Sequence, residues 1–231
     1  MGKAHHSDDY LEAIYFLAHP IGEYGPVVTE GPVPAVRVAE MLQVTPPTAS
    51  EMLKRMEDEG LIKRGPRRGP LLTEKGQAEA EKVVRQHRII ERFLTDFLGY
   101  TPAESHVHAD EMGETFTDEM IERLEEKLGH PERCPHGWPV DPSMEREENP
   151  TLKPLSDADP GETVTIRRLA EHDGDLLRWF YENDLVPLAS AHVERVDAPA
   201  GMMTLSLGGS ERSISAEAAR GLFVQTASTV D

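Results

Sequence analysis

Residues 36–73 constrain the fold more tightly than any other part of the chain. Val36, Ala39 and Leu42 recur at helical spacing and predict a short helix over 36–42, with Gln43-Val44 as the turn after it. Thr45-Pro46-Pro47-Thr48 then reads as an N-cap followed by prolines, which a first helical turn tolerates because its N–H groups lack intrahelical acceptors. This second helix continues through Met56 and ends at Gly60, a residue suited to the left-handed turn that closes helices. Residues 61–64 and 70–73 read as extended and are joined by Gly65-Pro66-Arg67-Arg68-Gly69, a hairpin with a basic tip. Helix, tight turn, helix and hairpin in that order make a winged helix-turn-helix, whose second helix enters the major groove of DNA. Pro47, Thr48, Ser50 and Glu51 would then face base edges, and Lys54, Arg64, Arg67 and Arg68 would meet phosphates.

The charge balance works against that reading at first. A formal net charge of -18 repels nucleic acid, whose affinity for proteins rests on Lys and Arg. The charge is unevenly spread, however. Lys63, Arg64, Arg67 and Arg68 cluster at the hairpin, while Asp and Glu dominate residues 104–148. An acidic body with a small basic tip is compatible with DNA binding, and metal cations would offset part of the acidity.

Outside this segment the chain predicts a mainly helical protein with a smaller β part. Ser7 as N-cap, Asp8 and Asp9 in the first turn, and a stripe of Leu11, Ile14, Tyr15 and Leu17 predict a helix over 7–19, stopped by Pro20. Residues 21–34 read as a loop, with a short strand at Val27-Val28. Long helices are predicted over 74–98 and over 102–128, the second ended by Gly129. A Pro-rich acidic stretch follows, and from Pro160 the pattern changes to short alternating apolar runs with turns at Gly161 and Gly208-Gly209, interrupted by a helix over 175–183. That is the pattern of a small β-barrel. The expected division is 1–75, a DNA-binding domain; 76–145, a helical metal-binding and dimerisation domain; 146–160, a linker; and 161–231, the barrel.

No run of about 18 apolar residues suggests a membrane span, and the N-terminus has no apolar signal region. The lone cysteine, Cys134, cannot form an internal disulfide, which fits a reducing cytoplasm.

Two helical stretches carry metal-type donors one turn apart. His87 and Glu91 stand at i and i+4 in the first. His106, Asp110 and Glu114 stand at successive i+4 positions in the second. Residues four apart share a helix face, so each stretch can aim an imidazole and carboxylates in one direction. Asp9 and Glu12, at i and i+3, add carboxylates beside the DNA-reading segment. A divalent ion needs such donors converging from several elements, and an ion gripped by them would favour one orientation of the reading head.

Several strings resemble the diphtheria-toxin-repressor family of metal-dependent regulators, nearest to its manganese-transport-regulator branch. They are Asp9-Tyr-Leu-Glu-Ala-Ile-Tyr15, Pro47-Thr-Ala-Ser50, Arg55-Met-Glu-Asp-Glu-Gly-Leu61, Leu72-Thr-Glu-Lys-Gly76, Arg85-Gln-His-Arg-Ile-Ile-Glu-Arg-Phe-Leu94 and Arg133-Cys-Pro-His-Gly-Trp-Pro139. The resemblance implies a winged helix, a helical dimerisation domain and a C-terminal SH3-like barrel. It implies a homodimer that binds a palindromic operator when loaded with Mn(II) or Fe(II). By resemblance, His87, Glu91 and His106 match ligands of one site, and Asp9 matches a ligand of another. Asp110 stands where iron-responsive members carry Cys, and Glu12 matches a carboxylate of the manganese branch. The family's usual Glu-His pair reads Gly113-Glu114 here, which removes one ligand and puts Glu114 in place of the histidine; either His108 or Glu111 compensates, or the second site is incomplete. Glu171 and His172 fall near the barrel's extra ligands.

Together these readings predict a cytoplasmic, Mn(II)-responsive DNA-binding regulator of metal homeostasis genes, the metal acting as corepressor or coactivator, with Fe(II) as the alternative ion and no enzymatic activity. Two other classes fit parts of the pattern. One is a helical di-metal enzyme, although no nucleophile or acid–base pair stands out beyond the ligands. The other is a metal-independent winged-helix regulator.

Overall fold

The computed structural model of the chain describes residues 6–18, 33–65, 69–171 and 173–226. Val27-Val28, Arg67, Arg68 and His172 lie outside them. The described residues form two compact units, and the division falls inside one helix, between Arg85 and Gln86.

The first unit holds α1 (Ser7–Ala18), α2 (Ala35–Met41), α3 (Pro46–Asp58), the hairpin of β1 (Ile62–Arg64) and β2 (Pro70–Leu72), and the first half of α4 (Glu74–Asp96). The apolar stripe of α1 buries Tyr10, Leu11, Ile14, Tyr15 and Leu17 in one core. Val38, Ala39, Leu53, Met56 and Ile62 fill the same core, with Ala80 and Val84 of α4. The Thr45 hydroxyl caps α3 by accepting from the Thr48 N–H at 3.4 Å. After α3 the chain turns through Gly60, whose φ of +74° a side chain would disfavour. Ile62 pairs with Leu72 and Arg64 with Pro70, so the hairpin is antiparallel. Gly76 lets α4 start against this turn: a Cβ there would lie 1.8 Å from the Leu61 carbonyl oxygen.

The second unit starts with the rest of α4, then α5 (Pro102–Met112), α6 (Asp118–Lys127) and α7 (Ser143–Glu148). One helix was expected over 102–128, and the structure has two. The α-helical path ends at Met112, a single 3-10 turn covers Gly113–Thr115, and Phe116 is extended. Thr117 then caps α6 by accepting from the Met120 N–H, which starts a second helix. Glu114 therefore falls in the 3-10 turn that follows α5, while His106 and Asp110 lie within α5. Ile89, Ile90 and Leu94 pack with Ala109, Ile121 and Val140 in a small helical core.

The C-terminal part is a six-stranded antiparallel sheet in the order β3-β8-β4-β5-β6-β7. Its strands are β3 (Lys153–Pro154), β4 (Thr163–Leu169), β5 (Ser190–Asp197), β6 (Met202–Leu207), β7 (Ser210–Ser215) and β8 (Leu222–Thr226). Two short helices join them, α8 (Gly174–Glu182) and α9 (Ala216–Ala219). Alternate residues such as Val164, Ile166, Val193, Leu205 and Val224 point into a core closed by Leu177 and Phe180 of α8. The stretch expected as a linker over 146–160 carries regular structure. It contains the end of α7, and β3, which pairs with β8 and brings the sheet's start back to Lys153.

Candidate metal centre

Helix α4 places His87 and Glu91 on one face, and α5 does the same for His106 and Asp110. The second unit brings all four together. His87 Nε2 lies 2.9 Å from Glu91 Oε1, His106 Nδ1 lies 3.0 Å from the same oxygen, and the two ring nitrogens are 3.1 Å apart. On its other side, His87 Nδ1 lies 3.3 Å from Asp110 Oδ1. Glu91 is fully buried and both imidazoles nearly so, while Asp110 reaches solvent.

Hydrogen bonding alone does not satisfy this triangle. If each imidazole donates to the carboxylate oxygen, the two N–H groups meet head to head at 3.1 Å. A cation at the centre would satisfy all three atoms as lone-pair donors. The other oxygen, Glu91 Oε2, is buried with no hydrogen-bond partner among the described residues, which is costly for a carboxylate unless something else is to occupy the space. The donor set therefore fits a divalent ion.

A second group adjoins the first and shares Glu91. It adds Cys134, His136 and Glu171, all buried. His136 Nδ1 lies 3.3 Å from Glu91 Oε1, 3.2 Å from Glu171 Oε2 and 3.8 Å from Cys134 Sγ. The far ring nitrogen, His136 Nε2, sits 3.0 Å from the Pro102 carbonyl oxygen. That carbonyl accepts a hydrogen bond, so Nε2 carries the proton and Nδ1 is left to face the carboxylates and the thiol.

The electrostatics follow from crowding two carboxylates and a thiol into a buried space. Burial alone would raise Glu91, but His136 and His87 hold its carboxyl well below the ordinary range. Burial alone would lower His136, but Glu91, Cys134 and Glu171 raise it well above the usual imidazole value. Burial and the Glu91 charge push the Cys134 thiol up to about 11. Without an ion, then, a proton on His136 supplies the balancing positive charge. A metal would displace protons from the same atoms on binding.

The loop of residues 133–139 is held in place from several directions. The Leu169 N–H donates to the His136 carbonyl at 2.9 Å and the Tyr181 hydroxyl to the Pro135 carbonyl at 2.7 Å. The Trp138 indole N–H donates to the Leu169 carbonyl at 2.8 Å. Two guanidiniums lie over the Trp138 ring, Arg88 at 5.5 Å and Arg168 at 4.9 Å from its centroid. Both are buried, and α7 supplies their counter-charges. Glu145 accepts from Arg88 at 2.5 Å, and Glu148 accepts from Arg168 at 2.6 Å and also pairs with Arg133.

The remaining predicted site residues are distributed as follows. Asp9 and Glu12 lie on α1 in the first unit, half-buried, and Asp9 Oδ2 accepts from the His6 N–H at 2.9 Å. Pro47, Thr48, Ser50, Glu51 and Lys54 are all exposed along α3. Arg64 is half-buried: its side chain reaches Glu57 at 3.5 Å and the Ser50 carbonyl at 3.5 Å, which ties the hairpin to α3. Sequence reasoning did not single out Cys134 and His136 as ligands. A thiol and an imidazole two residues apart were the available signal.

A winged reading head, a helical body and a cluster of buried imidazoles and carboxylates define a metal-regulated DNA-binding protein. Comparison with known proteins gives the family. Residues 4–70 match the iron dependent repressor N-terminal DNA binding domain, residues 73–141 its metal binding and dimerisation domain, and residues 153–226 the FeoA domain. Iron-dependent repressor IdeR of Mycobacterium tuberculosis is 33% identical over 215 residues, covering 87% of this chain and 88% of the relative. The diphtheria toxin repressor of Corynebacterium diphtheriae is 34% identical over 132 residues, covering 57% of this chain and 54% of its own. A solved manganese-dependent transcriptional repressor in complex with manganese superposes with a TM-score of 0.82 at 27% identity, covering 96% of this chain and 100% of its own. The chain belongs to the iron-dependent repressor, or diphtheria-toxin-repressor, family of homodimeric metal-dependent DNA-binding transcriptional regulators. Its C-terminal sheet is the SH3-like FeoA domain of that family. No helix among the described residues is long and apolar enough to cross a membrane.

Proposed function

We propose that this chain is a Mn(II)-responsive, non-enzymatic repressor of metal homeostasis genes acting in the cytoplasm, with Fe(II) as the alternative ion. The observation that carries the reading is the buried triangle of His87, His106 and Glu91, with Asp110 beside it. The α4–α5 donors are two imidazoles and two carboxylates without sulfur, a mix that suits hard ions such as Mn(II). The iron-dependent repressor IdeR and the manganese-dependent structural neighbours support both ions as candidates.

His87, Glu91, His106 and Asp110 would hold the ion, with Asp9, Glu12, Glu114, Glu171 and His172 as further proposed ligands. The bound ion supplies positive charge that draws anionic and imidazole donors into one arrangement. Helix α4 is the link to DNA. Its Ala80 and Val84 belong to the core of the reading head, and His87 and Glu91 follow within two turns on the same continuous helix. Fixing the later half of α4 therefore bears on the half that carries the winged helix. In a dimer, two such heads would meet a palindromic operator with half-sites one helical turn apart or a multiple of it. Thr48, Ser50, Glu51 and Pro47 would face bases. Lys54, Arg64, Arg67 and Arg68 would meet phosphates.

The test is operator binding against a titration of Mn(II) and of Fe(II), repeated with Asp9→Ala and His106→Ala. Each change should raise the metal concentration for half-maximal binding by at least about tenfold. An unchanged metal response in both variants refutes the ligand assignment. Equal operator affinity with and without chelator would sink the metal-dependent reading itself.

A further inference from the structure

Two buried guanidiniums from different parts of the second unit lie over the Trp138 ring. Arg88 comes from α4 and Arg168 from β4, and their central carbons are 5.5 and 4.9 Å from the ring centroid. Both distances fall in the range over which an indole face attracts a guanidinium. Hydrogen bonds tighten the contact on each side. The indole N–H donates to the carbonyl of Leu169, the residue after Arg168, at 2.8 Å. Arg88 donates to the carbonyl of Pro139, the residue after Trp138, at 2.7 Å. One ring thus ties the metal-bearing helix to the sheet.

For stability alone this is a costly way to fill space. Burial pulls the Arg168 guanidinium below its ordinary value despite Glu148 and Glu145, and the like charge of Arg88 adds to the effect. Arg168 Nε is buried with no hydrogen-bond partner among the described residues. Apolar side chains of similar volume commonly replace buried ion pairs without loss of stability. What the arrangement supplies is direction. Arg88 follows His87 on α4 and stands three residues before Glu91, so a grip on Arg88 fixes how the helix is turned at its ligands. Side chains reach about 5–6 Å from a helix axis, so a rotation of about 10° moves a donor atom by about 1 Å. His87, His106 and Glu91 meet at 2.9 to 3.1 Å, and a binding site tolerates displacements of only about 0.5 Å.

We propose that Arg168 is a positioning residue for the ion on α4 and α5: acting through the Trp138 ring and Arg88, it fixes the rotation of α4 and so sets how tightly His87, Glu91 and His106 take the metal. This rests on the metal-dependent reading above and adds a residue of the sheet that tunes the site without touching an ion. The flat face of the guanidinium does the work, so charge at this position is not enough.

The experiment uses the full chain, with Mn(II) affinity read from the electron spin resonance of the free ion and melting followed without metal. Arg168→Met keeps the bulk of the side chain and leaves Glu148 its pair with Arg133, so the melting temperature should not fall. Mn(II) affinity should drop by at least about tenfold, as loss of an orienting partner commonly causes. Arg168→Lys should bind Mn(II) as weakly as Arg168→Met. Adding Arg168→Met to His106→Ala should weaken binding by less than about twofold more, because both changes act on one site. Arg212→Met, which removes a guanidinium paired with Asp184 elsewhere in the sheet, should change neither reading. Trp138→Phe offers both guanidiniums a weaker face and should lower Mn(II) affinity by about threefold, a reading that does not depend on how well the Arg168 variants fold. Unchanged Mn(II) affinity in Arg168→Met or in Trp138→Phe, full affinity in Arg168→Lys, or a fully additive loss with His106→Ala overturns the positioning role and leaves metal-dependent repression standing. Absence of Mn(II) and Fe(II) uptake by the unsubstituted chain overturns both.

Discussion

Replacing Gly137 by alanine probes how the barrel holds its share of the metal centre. Gly137 has a φ of +89°, and a Cβ there would lie 2.1 Å from the Arg167 carbonyl oxygen and 3.2 Å from Pro187 Cγ. The oxygen belongs to strand β4, at the register shift between Ile166 and Arg168. The left-handed backbone costs an alanine about 1–2 kcal/mol, and forcing a methyl into a packed contact adds about 1–3 kcal/mol. The sum is about 2–5 kcal/mol, or a drop in Tm of roughly 5–15 °C for a chain of this size. Gly161 is the matched control. Its φ is +90°, and no other described atom lies within 4 Å of its Cβ position, so Gly161→Ala carries the backbone cost alone. The difference between the two variants isolates the contact. Relief of the clash by moving the 133–139 loop would strain the bond between the Leu169 N–H and the His136 carbonyl. Gly137→Ala should therefore also weaken Co(II) binding at Cys134 and His136 by about tenfold, as loss of an orienting partner commonly does. Calorimetry and cobalt absorption measure the two effects. Equal Tm values in the two variants, with cobalt affinity unchanged in both, would refute the reasoning.

The arginine–glutamate network around Trp138 yields two further expectations. Glu145→Gln leaves the buried Arg88 guanidinium without its counter-charge and should cost about 3–5 kcal/mol in denaturant unfolding; a loss under about 1 kcal/mol would mean the charge is compensated elsewhere. Glu148 is pulled up by burial, but Arg133 and Arg168 outweigh that and hold it below the ordinary carboxylate value of 4.5. Its folded form is the better proton releaser, so its contribution to stability is present above 4.5 and fades as pH falls through the depressed value. The acid limb of a stability–pH curve should flatten in Glu148→Gln, and an unaltered limb would count against this role.

Where the sequence was readable, the signal was local. The cap at Thr45, the prolines behind it, the stop at Gly60 and the hairpin 61–73 each depend on a few neighbouring residues, and the structure forms them within one or two positions. His87 with Glu91, and His106 with Asp110, could be paired on paper because an α-helix brings every fourth side chain to one face. The same rule does not mark where α5 stops. Periodicity continued through Gly113, but the backbone had already left the helix for a 3-10 turn, with a new cap at Thr117. It also gave no sign that residues 146–160 carry the end of a helix and an edge strand, since a two-residue strand exists only through its partner, β8.

Local chemistry in the sequence determined the reading head, the helical body and four donors in two one-turn pairs. Only tertiary packing decided that these pairs face each other across Glu91, and that Cys134, His136 and Glu171 close around the same carboxylate. The physical reason is range. Helix caps and i+4 pairs are set by backbone geometry over a few residues, whereas a ligand from a loop 43 positions after Glu91 arrives only because Gly137 permits contact with β4 and buried arginines grip Trp138.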